Sequence, residues 1–210
     1  MTAEPAVQPV ARTRSERTAG SRLLILDAAV ACLVEDGYAG ASTLAVQGRA
    51  GISRGRLLHH FPSRAQLLVA ATEHLSTTLL AEVQRRAAAL MADQPTGRER
   101  VDRAIDLMWT TFQEPPFWAA MELWTAARTD PELKAALRSE ERRLRAAIRG
   151  VADGIWGPEF AASPVYADLT ELLFTSMRGV ALVYAFEPRP AATDPHLALW
   201  KRLATRMLAL

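Results

Sequence analysis

From residue 16 onward, the apolar positions of this 210-residue chain recur at steps of three and four rather than two. Ile25, Ala28, Ala29, Cys32 and Leu33 form one stripe; Val101, Ile105, Met108, Trp109 and Phe112 form a second; Leu197, Trp200, Leu203, Ala204 and Met207 form a third. That period belongs to helices that bury one face, and neither an alternating strand pattern nor an internal repeat is evident. Punctuation sets the boundaries. Gly37 stops a first helix over residues 16–36, and Ala50-Gly51-Ile52 turns between two short helices, 42–49 and 53–60. Pro62 breaks the run, and Ser63-Arg64-Ala65-Gln66 has the capping-box form that restarts a helix, here continuing to about residue 91. A turn cluster at 92–97 leads into a helix over 96–113. Pro115-Pro116 interrupts, and a short, very apolar helix follows at 117–128. Asp130-Pro131-Glu132 opens a helix to 155, Ser163-Pro164 one to 186, and Asp194-Pro195 the last, to 208. The prediction is an all-α protein of about nine helices, with a Pro-rich loop at 187–190.

The stretch Ser42 to Phe61 carries the most specific pattern. Leu44, Val46, Ala50, Ile52, Leu57 and Phe61 are expected to close two short helices over a small core, leaving Arg49, Arg54 and Arg56 outward. Two helices around a Gly-containing turn, with cations on the second, are what a DNA-reading helix-turn-helix requires. Ser53 can cap the second helix and leave its N-terminal N–H groups and partial positive charge facing a phosphate.

Charge sharpens this picture. Residues 1–66 hold eight arginines against five acids, whereas residues 67–210 are slightly acidic, within a net charge of +2. Residues 1–15 lack periodicity and read as a disordered tail; Arg12, Arg14 and Arg17 either track a phosphate backbone or minor groove or are incidental. Glu140, Glu141, Arg142, Arg143, Arg145 and Arg149 interleave both signs, with Glu141 and Arg145 four apart, and read as a solvated face. The single cysteine, Cys32, lies on an apolar stripe and is expected to be core, in keeping with a reducing cytoplasm. No apolar run suits a membrane span or a signal peptide, so no membrane partner is expected.

The run from Leu24 to Leu68 resembles the DNA-binding domain of the TetR family of transcriptional regulators. The matching pieces are Glu35-Asp36-Gly37-Tyr38, Ser42-Thr43, Ala50-Gly51-Ile52-Ser53-Arg54-Gly55 and His59-His60-Phe61-Pro62-Ser63-Arg64, in that order and spacing. The resemblance implies a DNA-binding domain at 16–62 and an effector-binding and dimerisation domain at 63–210, connected through the helix at 63–91. It places Ser42 and Thr43 at the cap of the first motif helix, against phosphate, and Arg64 on the DNA backbone. Arg54, Gly55 and Arg56 begin the second motif helix, where an Arg fork suits guanine. Arg49 is a phosphate candidate. His59 and His60 diverge by about 100° on a helix, so one is expected to face DNA while the other packs, and no metal site is expected. Two departures stand out: Leu58 occupies a position where relatives often carry a phosphate-binding Tyr, and Leu44 cannot hydrogen-bond a base.

In the second half, Met108, Trp109, Phe112, Phe117, Trp118, Met121, Trp124, Phe174 and Tyr184 either line an apolar effector cavity or fill a core, with Glu122 a candidate to orient a cationic or hydroxyl-bearing ligand. Leu172, Ser176, Gly179, Val180 and Val183, with Trp200, Leu203 and Met207, suit a four-helix bundle formed by two copies, which the resemblance implies is the homodimer interface. No nucleophile–base set, Gly-rich phosphate loop or cofactor motif is present, so no enzyme and no cofactor are expected. The expectation is a dimeric repressor released from a palindromic double-stranded operator by a small ligand. A ligand-independent DNA-binding dimer and a small-molecule carrier that does not bind DNA are the alternatives.

Overall fold

The computed structural model describes residues 14–189 and 194–210, with the side chains of 14–17 and 139–141 left undescribed. Residues 1–13 of the expected tail, Arg12 among them, lie outside these, as do Pro190 and the side chains of Arg14, Arg17, Glu140 and Glu141. The described residues form ten helices: α1 (Arg14–Gly40), α2 (Thr43–Ala50), α3 (Arg54–His60), α4 (Arg64–Leu90), α5 (Gly97–Thr111), α6 (Pro115–Ala127), α7 (Pro131–Trp156), α8 (Pro158–Ala161), α9 (Tyr166–Tyr184) and α10 (Pro195–Met207). The chain is all-α, as the apolar period predicts. One short helix, α8, falls in a stretch that carries too few residues to show a period. The helical run breaks at 112–114, and Pro115-Pro116 starts α6, because proline suits the first turn, where its missing N–H has no partner to lose. None of the helices is long and apolar enough to cross a membrane.

The starts are set by local hydrogen bonds. Ser42, Ser53 and Ser63 each sit in extended backbone and accept the N–H three residues on, at 3.1, 3.4 and 3.2 Å. Asp130 does the same for α7, accepting from Leu133 N at 2.9 Å. Gly37 adopts φ 68°, ψ −175° and breaks α1, leaving one irregular turn before α2. That region of backbone space is open essentially to glycine alone.

Two apolar cores result. The first joins α1, α2 and α3 through Ile25, Leu26, Ala29, Cys32, Leu33, Val46, Leu57 and Phe61, and it extends well past residue 62. It takes in Leu67 and Leu68 of α4, Ala119 and Leu123 of α6, and Leu133 and Leu137 of α7. The second gathers α5, α8, α9 and α10 around Ile105, Trp109, Phe112, Leu173, Met177 and Trp200, and again draws on α4 (Val83), α6 (Phe117) and α7 (Trp156). Helices α4, α6 and α7 therefore belong to both cores. On α6 the stripe Ala119, Leu123, Ala127 faces the first core, while Phe117, Trp118 and Met121 face the second.

Candidate nucleic-acid interface and apolar cavity

The turn between α2 and α3 is built on Gly51, which takes the left-handed conformation (φ 63°, ψ 36°) and donates its N–H back to the end of α2. Val46, Leu57 and Phe61 are buried beneath it, and Ala50 and Ile52 are half-buried against them. Leu44 departs from the expected core: it is 74 % exposed. The reason is angular, since residues two apart on a helix project about 200° from each other and Leu44 cannot share the inward face of Val46. Leu58 is likewise exposed, beside the buried Leu57.

Ser53, Arg54, Gly55 and Arg56 all lie exposed at the start of α3, and no described acid or carbonyl holds the guanidinium of Arg54 or Arg56. Ser42 and Thr43 are half-buried at the start of α2. The other two candidate cations are committed within the protein. Arg49 makes a two-pronged pair with Glu35 of α1, at 2.6 and 2.8 Å. Arg64 donates to the carbonyls of Ala41 (3.0 Å) and Tyr38 and stacks over the Tyr38 ring at 4.1 Å from its centroid. As the structure stands, Arg64 is a clamp on the α1–α2 connection and not a free backbone-contacting cation. His59 is exposed and His60 half-buried, their rings edge-to-face at 5.5 Å. Burial lowers the pKa of His60, and the neighbouring His59, Arg22 and Arg56 lower it further. Among the described residues, no cluster of three or more His, Cys, Asp or Glu could hold a metal ion.

Tyr38 is the hinge of a second network. Its phenol donates to Asp130 Oδ2 at 3.0 Å, and its backbone N–H donates to Glu122 Oε2 at 2.8 Å. Burial and the Asp130 hydrogen bond raise the Tyr38 pKa, while the Leu133 N–H, followed by the Tyr38 hydroxyl, lowers that of Asp130. Glu122 thus lies at the α1–α2 connection, outside the aromatic cavity, and the expected ligand-orienting role gives way to this contact. Trp124 is also elsewhere: it packs on the first core with Arg178 stacked over its ring at 4.8 Å.

The aromatic inventory divides. Trp109, Phe112, Trp118 and Tyr184 line a cavity of about 220 Å³ that opens to solvent; Gln113, Ala181, Pro188, Arg189 and Asp194 complete its wall. Met108 and Phe117 are buried in the second core, against which Met121 and Phe174 are half-buried. Asp194, read from sequence only as a helix start, accepts hydrogen bonds from the Tyr184 hydroxyl at 2.8 Å and from His196 N at 2.9 Å. Burial and that bond push the Tyr184 pKa up to about 12. Gln113 and Arg189 gave no sequence signal, because one ends a helix and the other sits in a Pro-rich loop. A second groove of about 180 Å³ runs between α4 and α7, with the Glu73–Arg143 ion pair in its wall.

On α9, Leu172, Gly179, Leu182 and Val183 are exposed, as are Phe186 just past its end, at 92 %, and Leu199 of α10. The expected interface set needs correction at Trp200, while Ser176, Val180, Leu203 and Met207 are half-buried. Trp200 is 1 % exposed, its ring 4.9 Å from that of Trp109 within the chain's own core. Ser176 accepts the Trp200 Nε1–H at 2.9 Å, and Val180 packs inward. Leu203 is half-buried on α10, and Met207 packs against the second core.

Residues 25–71 match the family described as bacterial regulatory proteins, tetR family. The chain is 30 % identical over 176 residues to the HTH-type transcriptional regulator CymR of Pseudomonas putida, covering 84 % of this chain and 85 % of that protein. Its fold is similar to that of a transcriptional regulator from Pseudomonas aeruginosa PAO1 (TM-score 0.60, 19 % identity, 94 % and 97 % of the two chains). It is also similar to that of the multidrug binding protein EbrR complexed with ethidium (TM-score 0.54, 21 % identity, 89 % and 97 %). A helix-turn-helix with capped, arginine-bearing α3, joined through α4 and α6 to a second helical core, together with this likeness over most of both chains, places the protein: it belongs to the TetR family of bacterial transcriptional regulators.

Proposed function

We propose that the protein is a homodimeric repressor that binds a palindromic operator through two helix-turn-helix heads and leaves it when a small apolar or aromatic ligand fills the cavity. Residues 16–62 form the DNA-binding unit, and residues 63–210 form the effector and dimerisation unit, with α4 as the connection; the site of action is the cytoplasm. One observation carries the DNA reading: Arg54 and Arg56 stand exposed and unpaired at the capped start of α3, where an Arg fork can reach guanine in the major groove. Ser42, Thr43, Ser53 and Gly55 bring backbone and hydroxyl groups to the same face, and exposed Leu44 is suited to a thymine methyl. The exposed apolar face of α9 and α10 supports pairing of two copies, since no described residue of the chain covers it. The open cavity favours ligand control over a ligand-independent dimer, for which a filled core would be the expected finding. The likeness to EbrR, solved with ethidium, supports the same choice.

Ligand binding releases DNA only if the ligand favours a conformation in which the two heads no longer match successive major-groove faces, about 34 Å apart. A gel shift with DNA from upstream of the protein's own gene tests the proposal. A low-salt shift is expected from the parent, and a loss of at least about tenfold in affinity from the Arg54→Ala, Arg56→Ala double variant. No shift by the parent would defeat it.

A further inference from the structure

The sequence offered an acidic residue, Glu122, to orient a cationic or hydroxyl-bearing ligand. The structure removes Glu122 from the cavity and puts other polar groups there, so the ligand's charge follows from which of them remain unsatisfied. Asp194 is the one carboxylate in the cavity wall, and it is already engaged. Its Oδ1 accepts from the Tyr184 hydroxyl and from His196 N, His196 Nδ1 lies 3.3 Å away, and the residue caps the N-terminus of α10, whose partial positive charge offsets its own. The Tyr184 hydroxyl sits between Asp194 Oδ1, at 2.8 Å, and His196 Nδ1, at 2.9 Å, so its hydrogen is spent within this cluster.

What is left over is mostly donor. Arg189 lines the cavity, and no described carboxylate holds it. Gln113 brings a side-chain amide from the turn that follows α5. Around these groups the wall is flat and apolar, from Phe112, Trp118 and the Tyr184 ring.

We propose that the cavity takes an organic anion: a flat apolar body against Phe112, Trp118 and Tyr184, with a carboxylate-like head group accepting from Arg189 and Gln113. This rests on the reading of the cavity as the effector site and gives that effector a charge. A guanidinium and a carboxylate form a paired, charge-assisted hydrogen bond that a neutral or cationic head group cannot reproduce. The cavity volume suits a single ring with a short substituent, since a dry cavity of about 150 Å³ already admits benzene.

Benzoate, benzamide and benzamidinium share one ring and a planar head group of similar size and carry charges of −1, 0 and +1. Titrating each calorimetrically into the full-length protein, without DNA, reads the preference directly. Benzoate is expected to bind about tenfold or more tighter than benzamidinium at low salt, with benzamide between them. Arg189→Gln should bring benzoate and benzamide to within about threefold of each other, with far-UV circular dichroism and melting temperature confirming the fold. Glu187→Gln, a nearby exposed change outside the cavity wall, should leave the parent order intact. Equal or tighter binding of benzamidinium, no detectable binding of benzoate, or a preference that survives Arg189→Gln would each overturn the proposal. Adding operator DNA separates this from the effector reading. Tight benzoate binding that leaves the operator bound would sink ligand release while the anion preference stood; release by benzamidinium alone would do the reverse.

Discussion

The carboxylate of Glu122 on α6 holds the backbone N–H of Tyr38, at the break between α1 and α2, at 2.8 Å. One helical turn before Glu122, Trp118 lines the cavity, so the two side chains share a face of α6 and a displacement of one carries the other. Tyr38 is held at three points: its N–H by Glu122, its hydroxyl by Asp130 at 3.0 Å, and its carbonyl and ring by Arg64. A rigid α6 thus connects the cavity wall to the start of the reading head. Interfaces of this kind switch between discrete packings rather than deforming gradually.

Replacing Glu122 tests that link. Glu122→Ala is expected to destabilise the fold by only about 1 kcal/mol, the usual net worth of one hydrogen bond. It should nevertheless narrow the difference in operator affinity between ligand-free and ligand-bound protein, measured by fluorescence anisotropy. Glu122→Gln keeps an acceptor oxygen and should retain most of that difference. Equal responses from parent and Glu122→Ala would rule α6 out as the connection through this contact.

Gly37 faces two constraints at once. Its backbone lies at φ 68°, ψ −175°, and an added Cβ would come 3.1 Å from Glu122 Oε2. Gly37→Ala should therefore lower stability by about 1–3 kcal/mol in urea titrations. Gly51 is in the ordinary left-handed region with open space around its Cα, so Gly51→Asn should cost less than about 1 kcal/mol.

Two substitutions near the proposed dimer face should behave in opposite ways. Leu182 is exposed on α9, and Leu182→Glu is expected to yield a folded monomer in sedimentation experiments. Trp200 is buried within one chain, and Trp200→Ala should unfold it more readily, by about 3–5 kcal/mol, whatever the association state. A Leu182→Glu protein that still sediments as a dimer would move the interface elsewhere.

Acidification should weaken the head. The folded pKa of His60 is lowered, by burial first and then by His59, Arg22 and Arg56, from an ordinary value of 6.5. As pH falls through 6.5 the unfolded chain takes up the proton before the folded one, so stability declines until the lowered folded pKa is reached. The contribution is fully present above 6.5. Melting temperatures between pH 5 and 7.5 should fall less steeply on the acid side in His60→Gln than in the parent, and an identical profile would assign the pH response to other groups.

Helix order and helix starts were legible in the sequence because both are decided locally. A capping serine or aspartate needs only the N–H groups two or three residues on, and Ser42, Ser53, Ser63, Asp130 and Asp194 meet them as their neighbours in sequence dictate. The glycine stop at residue 37 and the turn at residue 51 follow from backbone sterics. Family membership came from the same local order. What the sequence did not settle was which partner each long side chain meets. Arg49 and Arg64 are cations beside the motif, yet Glu35 and the Tyr38 carbonyl claim them. Glu122 and Trp124 sit on the aromatic helix, yet one holds the α1–α2 connection and the other packs on the first core, and Trp200 fits a helical stripe that turns inward rather than toward a second copy. Periodicity says that a helix has a buried face; only the packing of α6 between two cores decides which core each residue enters, because that choice depends on neighbours brought in from distant parts of the chain.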